Sequence, residues 1–173
     1  LENALIEGKA HIAVHSMKDV PARVNDGFLI SSIMEREDPC DVFISNSYKS
    51  IEEISNGTIG SSSPRRQAMI KSLGKNINVI EMRGNINTRL KKLKNSNIDG
   101  IILAKAGLRR MEMDSLITQN LSVESFVPSP GQGVLCIECL SQHSEIMSKI
   151  KKIVHVNTEI CVSAERIFAA QMD

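Results

Sequence analysis

Aromatic residues are scarce in this chain of 173 residues, which has no Trp, one Tyr and four Phe, 3% aromatic in all. Proteins that bind single-stranded nucleic acid stack bases on aromatic side chains, and nucleic-acid binders in general carry an excess of Lys and Arg. Here 21 basic residues are balanced by 20 acidic ones, for a formal net charge of +1. We therefore expect no nucleic acid as a partner, and any anion binding must come from a local cluster of charges.

Long apolar runs are absent as well. No stretch of the sequence approaches the roughly 20 apolar residues of a membrane span, and the first residues lack the basic and apolar segments of a secretion signal. The hydrophobic content of 42% is enough for a buried core. We expect a globular protein of one or two modest domains, without a membrane partner, in the cytoplasm or in an organelle matrix.

Cysteine occurs four times, too seldom for a disulfide scaffold. Cys136 and Cys139 have the C-x-x-C spacing of a zinc or redox site, but no second pair and no nearby His pair would complete one. The run V-L-C-I-E-C has the alternation of a half-buried β-strand. We therefore predict a strand at this position and no metal site.

The rest of the chain alternates between short apolar runs and helical patterns. Strands are predicted at 11–15, 28–34, 41–45, 58–60, 78–82, 100–104 and 134–139, and helices at 1–7, 51–54, 64–73, 86–95, 105–111, 143–153 and 157–171. Strands that alternate with helices indicate βαβ units, and hence an α/β fold with a mainly parallel sheet covered on both faces. The segments E-R-E-D-P (35–39) and F-V-P-S-P-G-Q-G (126–133) are candidate domain boundaries.

The turn G-S-S-S-P-R-R-Q (60–67) places three hydroxyl groups before a proline in the first turn of a predicted helix. Free backbone N–H groups, the helix dipole and the Ser side chains could converge there on one anion, with Arg65 and Arg66 beside them. For a single such turn the alternative is an ordinary Ser N-cap followed by two solvated arginines.

Two further turns repeat this arrangement. In M-R-G-N-I-N-T-R-L (82–90) Arg83 leaves a strand and Arg89 lies on the next helix, and A-G-L-R-R puts Arg109 and Arg110 after the following strand. The carboxyl ends of parallel strands lie at one edge of a sheet, so these arginines are expected to converge. Because guanidinium groups bind carboxylates and phosphates through paired hydrogen bonds, the sequence favours a small polyanion as ligand.

The segment H-S-M-K-D-V-P (15–21) places Lys18 and Asp19 directly after an apolar run. If both candidate boundaries are crossings between two lobes, Asp19 could face the arginines across a cleft. Arginines would lower the pKa of this carboxyl group and burial would raise it, and the sequence leaves the outcome open. His15 is interpreted as a packed strand residue.

Together these stretches resemble the porphobilinogen deaminase family, also called hydroxymethylbilane synthases. The resemblance is carried, in family order along the chain, by H-I-A-V-H-S-M-K-D-V-P, E-R-E-D-P-C-D-V-F, G-S-S-S-P-R-R-Q, M-R-G-N-I-N-T-R-L-K-K-L, I-I-L-A-K-A-G-L-R-R, P-S-P-G-Q-G and C-V-S-A-E-R. It implies a transferase of tetrapyrrole and heme biosynthesis. Such an enzyme condenses four porphobilinogen molecules head to tail, with release of ammonia, to give hydroxymethylbilane on a covalently attached dipyrromethane cofactor.

The resemblance also implies a domain organisation. The family fold has two lobes like those of type II periplasmic binding proteins, with mixed, mainly parallel sheets around a hinged cleft, and a third α+β domain. The expected division of this chain is 1–36 with 130–150 for the first domain, 37–129 for the second and 151–173 for the start of the third.

The chain begins and ends inside predicted helices, so we expect a piece of a longer protein. We also expect the protein to be a monomer. The resemblance implies that this piece lacks the N-terminal part of the first domain and most of the third domain. No cysteine of the chain matches the one that anchors the cofactor in the family. We therefore expect the piece to be inactive by itself.

Roles for individual residues follow from the resemblance. Asp19 matches the catalytic aspartate, a carboxylate that would stabilise positive charge beside the pyrrole N–H groups and help to move protons. Cofactor-binding roles fall on Ser16, Lys18, Ser61 (often Thr in relatives), Ser62, Ser63, Arg65, Arg66 and Arg89. Substrate-binding roles fall on Arg83, Asn85, Arg110 and Gln132.

A two-lobed receptor for a small polycarboxylate is the alternative function, because the same serines and arginines could bind such a ligand without chemistry. The two hypotheses differ in the role of Asp19. In an enzyme, removal of its charge stops turnover while carboxylate binding persists, whereas a receptor has no turnover to lose.

Overall fold

The computed structural model describes residues 1–172, apart from the side chain of Ser32. These residues form two compact units. The first unit comprises residues 1–37 together with the residues from Ser129 onward, and the second unit is the continuous segment Asp38–Pro128.

The first unit is built on a three-stranded antiparallel sheet. Its strands are β1 (Ala13–Ser16), β2 (Phe28–Ile33) and β8 (Leu135–Leu140), in the order β1-β8-β2. Its helices are α1 (Glu2–Ile6), α5 (Ser144–Ile150) and α6 (Val156–Met172), and 3-10 turns span Met17–Asp19 and Lys151–Ile153. β8 takes the central position, as its mostly buried run of residues requires.

The core of the first unit includes a residue from the turn that carries Lys18 and Asp19. Met17 is 1% exposed and packs in one buried cluster with Cys136 of β8 and Val162 of α6. The turn is therefore anchored to the core through its first residue.

The second unit contains a five-stranded mixed sheet in the order β5-β4-β6-β3-β7. Its strands are β3 (Asp41–Ile44), β4 (Asn56–Gly60), β5 (Asn76–Ile80), β6 (Gly100–Ala104) and β7 (Gln119–Asn120). β4 pairs in parallel with β5 and β6, and β3 pairs antiparallel with β6 and β7. The helices are α2 (Pro64–Ser72), α3 (Ile86–Asn95) and α4 (Lys105–Arg110), and 3-10 turns span Ile51–Glu53 and Asp114–Leu116.

Both faces of this sheet are covered. Along β3, Val42 and Ile44 belong to one buried cluster and Phe43 belongs to the other. In β6 the side chains of Ile101 and Ile102 divide in the same way. This alternation explains why the two strands are continuous apolar runs, since a strand buried on both faces has no polar side.

Most predicted strands and helices are present close to their predicted positions, and the mixed α/β character is confirmed. Parallel pairing is less extensive than expected. Among residues 1–172 it is limited to β4 with β5 and β6, where α2 and α3 carry the chain back across the sheet. The short strand β7 and the 3-10 turn Met17–Asp19 were not predicted.

No helix among the described residues combines the length and the apolar composition that a membrane crossing requires.

Candidate functional site

The turn after β1 presents two charged side chains at the surface of the first unit. β1 ends at Ser16, which pairs with Leu135 of β8, and the backbone N–H of Met17 donates to Val134 O at 2.9 Å. Because Met17 points into the core, the next two side chains, Lys18 and Asp19, are exposed. Charges at the end of an apolar strand are thus accommodated by a tight turn whose first residue alone is buried.

The P-G-Q-G turn contacts this segment. The Lys18 Nζ donates to Gln132 Oε1 at 3.4 Å, and Gln132 is only 1% exposed. Gly131 has a φ of +71°, and a Cβ atom there would lie 2.5 Å from Met17 Cγ. The structure therefore brings together the predicted site residues Lys18 and Gln132, with a glycine that permits the close approach.

Asp19 also lines a cavity of about 370 Å³ with His15 and Glu138. His15 Nε2 lies 2.9 Å from Glu138 Oε2, and Glu138 is 3% exposed in the middle of β8. His15 is a partly buried strand residue, as predicted, but its carboxylate partner was not. A Glu in an otherwise apolar strand run is the signal that could have indicated a buried polar pair.

The three serines of the second unit form a preorganised turn between β4 and α2. Ser63 caps α2, with its Oγ accepting from Arg66 N at 3.4 Å. Ser61 Oγ accepts from Ser63 N at 3.3 Å, and Ser62 Oγ accepts from Met82 N at 2.9 Å. The Ser N-cap is confirmed. Each hydroxyl group retains a proton that it can donate to an anion.

Arg65 and Arg66 are bound to a carboxylate that was not predicted as part of the site. Both oxygens of Asp41, which is fully buried, accept hydrogen bonds at 2.7 Å, one from Arg65 Nη2 and one from Arg66 Nη2. Arg66 is 5% exposed and also donates to Ile102 O at 3.1 Å, so the alternative of two solvated arginines is wrong. Burial would raise the pKa of Asp41, but the charges and hydrogen bonds of Arg66 and Arg65 outweigh burial and lower that pKa.

The turn between β5 and α3 holds two more of the predicted site residues. Asn85 is the N-cap of α3, with its Oδ1 accepting from Thr88 N at 2.9 Å. Arg83 is exposed and forms an ion pair with Glu81 at 2.6 Å. Exposed ion pairs of this kind contribute little to stability, so the pair leaves Arg83 available to a ligand.

Arg89 lies one turn further along α3, and its Nε donates to Gly84 O at 2.8 Å. Burial and the charge of Arg66 lower the pKa of Arg89. The influence of Arg66 indicates that the arginines following β4 and β5 act on the same region, as the parallel pairing of the two strands predicts. Within residues 1–172 the Arg89 Nη atoms form no hydrogen bond, so they can bind an anion.

Arg109 and Arg110 lie in the last turn of α4, away from the carboxyl end of β6 where this helix begins. Lys105, in the first turn, is the basic residue next to that strand end, and its Nζ donates to Asp38 Oδ2 at 2.7 Å. This hydrogen bond lowers the pKa of Asp38 to about 2. Lys105 is thus the basic residue directly at this strand end, and Arg109 and Arg110 follow it on the same helix.

The C-x-x-C segment is part of β8, as predicted, and Cys136 and Cys139 are buried free thiols. Among the described residues, no group of three His, Cys, Asp or Glu side chains could hold a metal ion.

Comparison with protein families gives a match over residues 1–148 to the family described as "Porphobilinogen deaminase, dipyromethane cofactor binding domain". The porphobilinogen deaminase of Francisella philomiragia subsp. philomiragia is 46% identical over 174 residues, which cover 99% of this chain and 58% of that protein. The porphobilinogen deaminase of Ruthia magnifica subsp. Calyptogena magnifica is 42% identical, over all of this chain and 57% of its own length. The chain thus spans less than two thirds of the length of these relatives.

Solved structures with a similar fold have little sequence in common with this chain. A lipoprotein of Bacillus subtilis subsp. subtilis matches with a TM-score of 0.57 at 12% identity, over 87% of this chain and 71% of its own. A periplasmic binding protein of Salmonella typhimurium matches with a TM-score of 0.50 at 14% identity, over 87% and 67%. These likenesses concern the fold alone, and they confirm the expected type II periplasmic-binding-protein-like class.

Proposed function

The chain belongs to the porphobilinogen deaminase family, and from that membership we propose that the full-length protein is a hydroxymethylbilane synthase. Its substrate is porphobilinogen, and four molecules are joined head to tail with release of ammonia. We place the protein in the cytoplasm or in an organelle matrix, and we propose that it is a monomer. The proposed domains are 1–36 with 130–150, 37–129, and 151–173 as the start of a third.

The geometry of the turn after β1 is the observation that carries this proposal. Asp19 is exposed beside Lys18, and Lys18 is held by the buried Gln132 at 3.4 Å. A carboxylate in this position can stabilise positive charge that develops on a pyrrole and accept or return a proton. Asp19 is therefore the proposed catalytic residue, and Ser16, Lys18 and Gln132 the proposed neighbours that contact cofactor or substrate.

The second unit supplies groups that suit a ligand with many carboxylates. The Arg89 Nη atoms and the hydroxyl groups of Ser61, Ser62 and Ser63 are the proposed donors to dipyrromethane, which when bound supplies the primer on which the chain grows. Arg83, Asn85 and Arg110 are the proposed contacts of the substrate.

Arg65 and Arg66 belong to the proposed cofactor site with a restriction. A ligand carboxylate at Arg66 has to compete with Asp41, which already accepts bonds from Arg66 Nε at 3.2 Å and Nη2 at 2.7 Å. Arg65, which is more exposed, has the better access to a ligand. We therefore assign the direct contact to Arg65 and a supporting contact to Arg66.

The cysteine that would bind the cofactor covalently is proposed to lie outside this chain. Burial raises the pKa of Cys40 to about 12 and that of Cys136 to about 11. Burial likewise raises the pKa of Cys139. Because the thiolate is the reactive form of cysteine, these three buried thiols are poor nucleophiles.

The test is turnover by the purified full-length protein. Incubation with porphobilinogen should consume four substrate molecules and release four ammonia molecules for each hydroxymethylbilane formed, with the bilane followed by its spectrum after oxidation. A protein that binds porphobilinogen in calorimetry but releases no ammonia would be a polycarboxylate receptor, and the proposed function would be wrong.

A further inference from the structure

One face of α6 is directed at the two loops that carry the proposed site residues of the first unit. Thr158 and Val162 are buried, and Glu165, Arg166 and Ala169 follow at helical spacing on the same side. This spacing places two charged residues against the body of the first unit, where each needs a partner.

Glu165 holds the P-G-Q-G loop. Its carboxylate accepts from Gly131 N at 2.7 Å, and it forms a paired salt bridge with Arg36 at 2.7 and 2.8 Å. The residue that follows in the chain holds the other loop. Arg166 Nη2 donates to Pro21 O at 2.7 Å and to Ala22 O at 2.9 Å, and Arg166 Nη1 donates to Val20 O at 3.3 Å.

The three acceptors of Arg166 are successive carbonyl groups, and they begin directly after Asp19. Residues 20–27 belong to no helix or strand, and Pro21 has no N–H group to donate. Among the described residues Arg166 forms no ion pair. Its planar guanidinium group instead donates hydrogen bonds to this backbone segment and contacts Met17 Sδ at 3.5 Å. A lysine in its place would present a single ammonium group without the fork geometry.

We propose that Arg166 is a positioning residue for Asp19. β1 pairing and the hydrogen bond from Met17 N to Val134 O fix the turn on its N-terminal side. The three hydrogen bonds from Arg166 fix it on the C-terminal side. Without them, among the described residues, the backbone of residues 20–22 keeps only the hydrogen bond from Val20 N to Met17 O, and Asp19 loses its defined position.

This inference rests on the proposed function where it concerns catalysis, since misplacement of a catalytic group by about 1 Å can cost on the order of 100-fold in rate. The test uses two variants of the full-length protein, Arg166→Met and Arg166→Lys. Methionine is an unbranched apolar side chain that has no hydrogen-bond donor. Arg23→Met is the matched control, because Arg23 is an exposed arginine of the same loop.

We expect Arg166→Met to lower kcat at least about 10-fold, with a KM within about 3-fold of the wild-type value. Arg166→Lys should restore part of kcat, and Arg23→Met should have the wild-type kcat and KM. Hydrogen exchange of the amides of residues 18–20 and 22 should become several-fold faster in Arg166→Met, while the amides of β8 keep their protection. If Arg166→Met also loses protection in β8, the milder Arg166→Lys variant decides the question by the same two measurements.

Wild-type kcat, or unchanged exchange at residues 18–20 and 22, would overturn the positioning role. Absence of turnover in the wild type would instead refute the proposed function. In that case the exchange measurement alone decides whether Arg166 fixes this segment.

Discussion

Asp41 is fully buried, and each of its two oxygens accepts a hydrogen bond from a different arginine. Arg65 also donates to Val127 O at 2.6 Å and Arg66 to Ile102 O, so the carboxylate joins β3 to α2, β6 and the last residues of the second unit. One negative charge against two positive ones leaves the cluster with a net charge of +1. Asp41 thus orders the arginines while the cluster still attracts anions.

The first prediction concerns this residue. Asp41→Asn removes the buried negative charge that accepts from both arginines, and breaking a buried ion pair typically costs about 3–5 kcal/mol. We expect the free energy of unfolding, measured by urea denaturation, to fall by that amount. Asp114→Asn is the control, because the exposed pair of Asp114 with Arg109 at 3.7 Å is worth no more than about 1 kcal/mol. Equal stabilities of the two variants would contradict the role given to Asp41.

Contacts of this kind could not be predicted from the sequence. Asp41 lies 25 residues from Arg66, and His15 lies 123 residues from Glu138. Local patterns gave the serine turn and the strand that leads to Asp19, because caps and strand ends depend on neighbouring residues. Which acidic side chain meets which basic one depends on the order of strands in the sheet, and residue spacing does not fix that order.

The two crossover helices of the second unit begin at the same edge of the sheet. β4 and β5 are parallel, so the turns that follow them lie side by side, and Ser62 Oγ joins them by accepting from Met82 N. Each helix has a side-chain cap at its start, Ser63 for α2 and Asn85 for α3. Free N–H groups of two helix starts therefore lie at the edge where the proposed cofactor donors are found.

The second prediction concerns the cap of α3. Asn85→Ala removes the acceptor of Thr88 N and Thr88 Oγ1, and loss of an N-cap costs about 1 kcal/mol. The free energy of unfolding should fall by this amount. Asn87→Ala, an exposed change inside the same helix, should leave stability unchanged or slightly higher, because Ala favours helix. Wild-type stability of Asn85→Ala would contradict a stabilising role for this cap.

The sequence predicted the long elements better than the short ones. S-S-S-P marked the start of α2, a continuous apolar run marked β6, and apolar alternation marked β8. β7 has two residues, too few for any periodic pattern, and its existence depends on pairing with β3. Parallel pairing was overestimated because strand–helix alternation suggests βαβ units even where a strand returns antiparallel, as β3 does beside β6.

Across the whole molecule the charge is nearly balanced, but three arginines of the proposed site are grouped. The net charge is +1, yet Arg65, Arg66 and Arg89 follow two neighbouring parallel strands. A local group of arginines in a near-neutral chain suits a small polycarboxylate better than a large polyanion. The proposed catalytic carboxylate, that of Asp19, belongs to the first unit.

The most direct test of this account is the rate of bilane formation by the full-length protein with Asp19→Asn. The control is Asp26→Asn, which makes the same charge change at an exposed position. General acid–base catalysis is worth about 100-fold to 10,000-fold, so we predict a loss of at least about 100-fold in kcat for Asp19→Asn. Binding of porphobilinogen should persist in this variant, and Asp26→Asn should turn over like the wild type. Near-normal turnover by Asp19→Asn would contradict the account.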